Sequence, residues 1–377
     1  MRRKKLFIIL LGLLVAYGGW LTTESLRFQT HQGTVPDHPA EIVGAYHIHT
    51  TCSDGRKTVA EVARIASHEN LDFIIVTDHG SPNRESFGSQ GWKEGVLVLA
   101  GTEISSNRGH LVGLGFEKSD KNFSSQAEEA VYQLRSQGGF SIIAHPYSKT
   151  SWTWGETIDY GGIEIISADG VLKRNIVSSI HYWPTLLVRP AFFLCKILKR
   201  PEKNLKKWDS LCRHHPVYGY YSVDAHLLYG LLFSAIRVHI PLSKPLQGDF
   251  TEASRQVYGS LAKGNFFNAI DAAAQSEGFR FWMEVGTQAI PMGSSASLEP
   301  STVLHVLSPP GIKAHIRVIR DGQTCHQSDH ETLSLEVAQP GIYRVEVYLR
   351  ERTPLRQDVP WILSNPIFLK EKRHEQN

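Results

Sequence analysis

The sequence predicts an α/β protein: a mostly parallel sheet, covered by helices on its faces or closed into a barrel, preceded by an apolar N-terminal helix and followed by a small C-terminal β-sandwich. Three observations carry that reading. The middle of the chain alternates short, near-continuously apolar runs with helical stretches, the pattern of strands buried on both faces. After Gly278 the texture changes to short alternating strands separated by Gly, Pro, Asn or Asp. Residues Leu6–Leu21, LFIILLGLLVAYGGWL, form a charge-free apolar run behind the basic cluster RRKK.

Taken in order, that basic and apolar start (1–22) reads as targeting information, a signal-anchor or signal peptide. Its 16 residues are short for a spanning helix, but no clear A-x-A site follows, which favours an uncleaved anchor. The positive-inside rule keeps RRKK cytoplasmic and puts everything after Trp20 outside, secreted if the segment is cut. Residues 23–41 form a polar linker. The formal charge of +3 depends on the basic cluster: without Arg2, Arg3, Lys4 and Lys5, the 40 basic residues fall to 36 against 37 acidic, a balance of −1. A nearly neutral body argues against a nucleic-acid partner. The four cysteines (Cys52, Cys195, Cys212, Cys325) form neither a C-x-x-C nor a dense disulfide framework, although Cys195 and Cys212 could pair in an oxidising compartment.

From Ile42 to Gly278 the strands are IVGAYHIHT, LDFIIVTDH, GVLVLAGTEIS, GHLVGLGF, GFSIIAHP, GIEIISAD and YGYYSVDAH. A helix begins at Thr58, with Glu61 in capping-box position, and another lies around Ser125–Gln137. Polar residues arrive after the apolar run in nearly every strand: His47 and His49, Asp78-His79, Glu103, His145, Asp224 and His226. Carboxyl ends of parallel strands converge on one face, so these distant residues can meet there. Strand alternation puts His47 beside His49 and Asp224 beside His226. Imidazole with carboxylate is a donor set for zinc, manganese or iron.

HIHTTCSDG, VTDHG, GTEIS, IAHP and SVDAH, in this order, resemble the motifs of the PHP (polymerase and histidinol phosphatase) superfamily. The resemblance implies a distorted (β/α)7 barrel over 42–278, holding two or three divalent ions (Zn, Mn or Fe) and hydrolysing a phosphate ester. It implies that His47 and His49 bind a first ion with Glu103 bridging and Asp224 completing the site. Asp54, His79 and His226 would form a second, and His145 with Glu103 a third, with His110 as a further ligand. Asp78 is expected to orient His79 or cap its strand, and Cys52 to be a turn residue. The nucleophile would be a water acidified by the ions, with no side-chain nucleophile. Neither a G-x-S-x-G elbow nor a P-loop is present.

Arg84 and Arg108 are candidates to hold the phosphate. A helical, aromatic and basic insertion (171–217) reads as a lid, a bilayer-facing surface or ordinary barrel helices. LLYGLLFSAIRVHIPL, after His226, reads as a loop or short helix near the site. The last segment (279–377), ending in PWILSNPI, is similar to the β domain attached to some extracytoplasmic PHP proteins. The preferred function is a metal-dependent phosphoesterase, most simply a phosphomonoesterase, acting on a small-molecule, sugar or lipid phosphate ester. The alternatives are a phosphodiesterase or nuclease, and a non-catalytic metal-containing binding protein.

Overall fold

The computed structural model describes residues 2–34, 41–117, 122–147, 153, 155–242, 246, 248–351 and 353–372. Helix α1 (Arg2–Arg27) exposes most of its apolar residues and is long and apolar enough to cross a membrane or to be a signal sequence. It continues past the apolar run into the expected linker. Neither Gly nor Pro interrupts Thr22–Arg27, and Leu21 and Ser25 are buried. His31 forms a β-bridge with Ala274, stitching the helix end to the body. Residues 35–40 of the linker lie outside the described residues.

The first sheet begins with β1 (Glu41–Ile48), α2 (Val59–His68), β2 (Phe73–Val76), α3 (Arg84–Gly88), β3 (Gly91–Lys93) and β4 (Val96–Ala100). Strands β1, β2 and β4 pair in parallel, and β3 closes the edge antiparallel to β4. The Thr58–Glu61 capping box is formed, and Val59, Val62, Ala63 and Ala66 of α2 are buried. A second sheet follows: β5 (Thr102–Ser106), β6 (Gly109–Leu114), α4 (Ala127–Ser136), β7 (Phe140–Ile143), β8 (Gly162–Ser167) and, after the insertion, β9 (Tyr218–Ser222). Here β5–β6 and β6–β7 are antiparallel, while β7–β8 and β8–β9 are parallel. The sheet is thus more mixed than the sequence predicts. Bridges Ile48↔Ala225 and His79↔Glu103 join the two sheets where the candidate ligands lie.

The insertion is helical, as read: α5 (Ala168–Asn175), a 3₁₀ turn (Ile180–Tyr182), α6 (Trp183–Val188), α7 (Pro190–Ile197) and α8 (Glu202–Cys212). Beyond β9 come α9 (Tyr229–Ala235), β10 (Arg237–Pro241), α10 (Phe250–Ala262) and β11 (Phe267–Ala269). The stretch expected as a loop or short helix is therefore α9 followed by a strand, because RVHIP pairs antiparallel with the start of β1.

The C-terminal strands are β12 (Arg280–Val285), β13 (Gln288–Pro291), β14 (Ser295–Ser297), β15 (Val303–Leu307), β16 (Ala314–Arg320), β17 (Gln323–Ser328), β18 (Thr332–Glu336), β19 (Gly341–Leu349), β20 (Ile362–Ser364) and β21 (Ile367–Lys370). Strands β13-β12-β15-β18 form one antiparallel sheet. The rest join the first sheet, since β20 pairs with β11. Gly278 is a change of texture but not a structural seam. The PWILSNPI motif makes the join: Trp361 Nε1 donates to the Ala274 carbonyl, and Asn365 accepts the Gly219 N–H and donates to the Phe266 carbonyl. All four cysteines are free; Cys195 and Cys212 are separately buried in the core.

Candidate metal centre

Regular alternation would suffice to put His47 and His49 on one side of β1. The backbone achieves it differently. His47 takes φ 69°, and the register of β1 on β2 slips between Tyr46 and Ile48, a bulge that re-aims the side chain. Asp224 (φ 49°) and His145 (φ 27°) also occupy positive φ, a costly conformation that clusters at functional sites. His49, His79, His145, Asp224 and His226 lie just beyond the ends of β1, β2, β7 and β9. Their convergence comes from loop residues anchored at strand ends.

Glu103, buried on β5, is the hub. Its Oε2 lies 3.3 Å from His47 Nε2, 3.1 Å from His49 Nε2 and 3.4 Å from His79 Nδ1. Its Oε1 lies 2.7 Å from His110 Nδ1 and 2.9 Å from His145 Nε2. Asp224 Oδ1 stands 3.6 Å from Nε2 of both His47 and His49. On the more exposed side, Asp54 is 3.3 Å from His49 Nδ1, 3.3 Å from His226 Nε2 and 3.7 Å from His79 Nε2.

The structure brings together all nine residues proposed as ligands. They fall in overlapping groups with donor atoms within 4.8 Å of one another: His49-Asp54-His79-His226, His47-Glu103-His145, His47-His49-Asp224 and His79-Glu103-His110. A fifth group adds Asp169, which the sequence reading passed over, to Asp224 and His226. Asp169 also pairs with Lys173 one turn along α5. Glu164 was missed as well. It sits inside the buried β8 and accepts from His47 Nδ1 at 2.6 Å, the Tyr46 hydroxyl at 3.0 Å and the His145 N–H at 2.7 Å. The available signal was a lone carboxylate within the otherwise apolar run GIEII.

Asp78 plays another part from the one expected. It accepts from the Thr50 N–H and hydroxyl and from the hydroxyls of Ser53 and Ser86, at 2.6–2.7 Å. It thereby fixes the turn that carries Asp54, instead of orienting His79. Arg108 is engaged by Glu128 at 2.6 Å and by the Thr153 carbonyl at 2.8 Å, so its guanidinium is committed to α4 and a neighbouring loop. Arg84 donates to Asn122 Oδ1 at 3.3 Å.

The centre's electrostatics call for positive charge. Burial by itself would lower the His47 pKa, but Glu164, Glu103 and Asp224 raise it well above the ordinary value. Burial likewise pushes Glu103 up, and is outweighed by His47 and by hydrogen bonds from His110, His145 and His47, which hold it well below the carboxylate range. Tautomers sharpen the point. With its Nδ1 proton on Glu164, a neutral His47 turns a lone pair from Nε2 toward His49 Nε2 at 3.2 Å and toward Glu103 and Asp224. In a neutral His226 the proton sits on Nδ1, which faces the Asp224 carbonyl at 2.9 Å, and the Nε2 lone pair then faces Asp54. His79 Nδ1 is buried without a hydrogen-bond partner among the described residues. Acceptors facing acceptors are what divalent cations resolve, and nitrogen with carboxylate oxygen suits zinc, manganese or iron. The residues fit the group that the motifs imply.

No protein-family model matches the chain. An uncharacterized protein of Methanocaldococcus jannaschii is 27% identical over 152 residues, 36% of this chain and 88% of that protein. Among solved structures, a two-domain protein of Bacteroides vulgatus containing a predicted PHP-like metal-dependent phosphoesterase aligns over 90% of this chain and 99% of its own, with a TM-score of 0.45 at 12% identity. An amidohydrolase of Chromobacterium violaceum aligns over 48% and 87%, with a TM-score of 0.33 at 15% identity. The side chains of this centre, not those distant overlaps, carry the functional reading.

Proposed function

We propose that the chain is a metal-dependent phosphoester hydrolase of the PHP type, most simply a phosphomonoesterase, anchored by α1 with its catalytic body on the extracytoplasmic side. The observation that supports it is the convergence of five imidazoles on the two oxygens of Glu103, with Asp224 beside them. His47, His49, Glu103 and Asp224 would hold one ion; Asp54, His79 and His226 a second; and His145 and His110, sharing Glu103, a third. Bound divalent ions polarise a phosphoryl oxygen and lower the pKa of a coordinated water.

The protein's own part is orientation and access. Glu164 fixes the His47 tautomer, and Asp78 with Thr50, Ser53 and Ser86 holds the Asp54 turn. His47 and His49 are fully buried, whereas His79, His110 and Asp54 are partly exposed. An ester therefore approaches from the Asp54, His79 and His110 side.

The test is elemental analysis of the full chain, purified in detergent without chelator, beside the His47→Ala/His49→Ala double variant. Roughly two or three equivalents of zinc, manganese or iron are expected, reduced in the variant. Hydrolysis of p-nitrophenyl phosphate in preference to its bis ester would support the monoesterase assignment. Folded protein that takes up no ion would sink the proposal in favour of a binding scaffold.

A further inference from the structure

The insertion between β8 and β9 leaves an apolar surface uncovered. Five large apolar side chains exposed outside α1 fall within twelve residues of it: Val177, Ile180, Trp183, Leu187 and Val188, with Leu187 91% and Val177 76% exposed. The others among the described residues outside α1 are Trp92, Tyr132 and the pair Leu227-Leu228, which follows His226 at the metal centre. A run of this density on a folded surface marks an interaction site.

Its position says what covers it. Helix α6 packs against α1, whose own apolar side chains are exposed. Arg189, at the α6–α7 corner, donates to the Phe28 carbonyl at 3.2 Å, and Phe28 meets Phe192 of α7 edge to face at 6.0 Å. Between α1 and these helices lies a cavity of about 910 Å³, whose lining includes Tyr17, Trp20, Tyr182 and Phe192 together with Arg27 and Lys196. Tyrosine and tryptophan mixed with cations, beside an apolar helix, is the composition of a membrane–water boundary. Tyr182, between Ile180 and Trp183, lines this cavity, so the exposed run adjoins that boundary.

We propose that the 177–188 segment, from the end of α5 through α6, inserts its apolar side chains into the bilayer leaflet from which α1 emerges. The protein is then held at two places: through the bilayer by α1 and on its surface by the insertion. Helix α5 links that surface to the metal centre, running from Ala168 beside Asp169 to Asn175, about 12 Å at 1.5 Å per residue. The docking concerns the membrane and holds whichever ester the centre hydrolyses.

The experiment places an environment-sensitive NBD probe on Leu187→Cys, and separately on Val177→Cys, in the full chain carrying Cys52→Ser and Cys325→Ser. Cys195 and Cys212 are buried, and burial pushes their thiols up to about 12, so they resist labelling. Tyr132→Cys on α4 is the control. In vesicles of phosphatidylcholine and phosphatidylglycerol containing doxyl-labelled lipid, the expected result is quenching of at least about twofold at 187 and 177, and none at 132. Probes at 187 and 177 that the lipid-borne quencher leaves untouched would overturn the proposal. So would shielding from water accompanied only by probe–probe self-quenching, because a second copy of the chain would then be the occupant.

Discussion

Each end of β1 lies in a buried network of imidazole and carboxylate, one histidine at its start and several at its far end, built to different purposes. At its start, His239 of β10 sits between two carboxylates, Nδ1 2.9 Å from Glu41 and Nε2 3.0 Å from Asp271, with the Ser276 hydroxyl also at Nε2. Arg280 pairs with Glu41, and Arg237 lies 3.8 Å from Asp271. One proton on each imidazole nitrogen serves Glu41 and Asp271, and the Ser276 hydroxyl donates to Asp271 Oδ1 at 2.6 Å, so this network is complete as protein. At the far end of β1, five imidazoles crowd one carboxylate. A proton on His47 Nε2 can serve one of the acceptors around it, whereas a divalent cation serves all of them. Histidine burial alone therefore says little; the ratio of imidazoles to carboxylates separates a structural ion network from a metal centre.

The largest expected effect breaks the far end alone. Glu103→Gln removes the charge and one oxygen of the carboxylate shared by two of the three proposed ions, and activity should fall on the order of 10³-fold, the equivalent of several kcal/mol of transition-state stabilisation. Elemental analysis and phosphoesterase assays check it. Wild-type metal content and activity in that variant would make the Glu103 cluster a structural network after all. His239→Gln is the reciprocal experiment. It should leave metal content and activity near wild type while costing about 3 kcal/mol of stability, because Glu41 and Asp271 lose their buried counter-charge. Denaturant unfolding of the chelated protein measures that cost.

Glu164→Gln tests whether the far end depends on orientation as well as on donors. The amide keeps the shape but no longer dictates which His47 nitrogen carries the proton, so metal affinity should fall about 10–100-fold with the fold intact. Competition with a graded chelator reads this. Unchanged affinity would mean that the bulge at His47 alone aims the ring.

The two ends also differed in how legible they were. Seven of the nine proposed ligands could be picked out because they stand after an apolar run, where strand ends converge, and Asp54 and His110 only through the motif resemblance. Glu164 was not, because it lies within a strand, and a polar residue there reads as an isolated exception until its partners are known. Positive φ at His47, His145 and Asp224 leaves no trace in residue type, so the sequence predicts the pairing of His47 with His49 from regular alternation, which the backbone does not use there. The alternating α/β pattern gave the sheet and its helices, but pairing over long separations was hidden. The contact of β20 with β11 brings Ile362 to Ala269, and RVHIP became a strand because it found Glu41–Gly44 as partner. Helix α1 outruns its apolar stretch because Thr22–Arg27, though polar, contains nothing that breaks a helix.

The smallest effect is the pH dependence of the near end, and its sign follows from the geometry. Burial pushes the His239 pKa down, but Asp271 and Glu41 outweigh it and raise it from 6.5 to about 9. Asp72, itself lifted by burial, is a further carboxyl that feels His239. Below pH 6.5 the imidazole is protonated in folded and unfolded chains alike, and its full stabilisation is present. Between pH 6.5 and 9 the unfolded chain has lost its proton while the folded chain keeps it. Stability should therefore decline across that window, by about 1 kcal/mol per pH unit, and the contribution is gone above 9. The clean measurement is the difference in unfolding free energy between chelated wild type and His239→Gln, taken from pH 6 to 9.5. A gap that narrows as pH rises means that His239 is a charged keystone; a constant gap means that its ring matters only as packing against Phe267, on which it stacks at 4.8 Å.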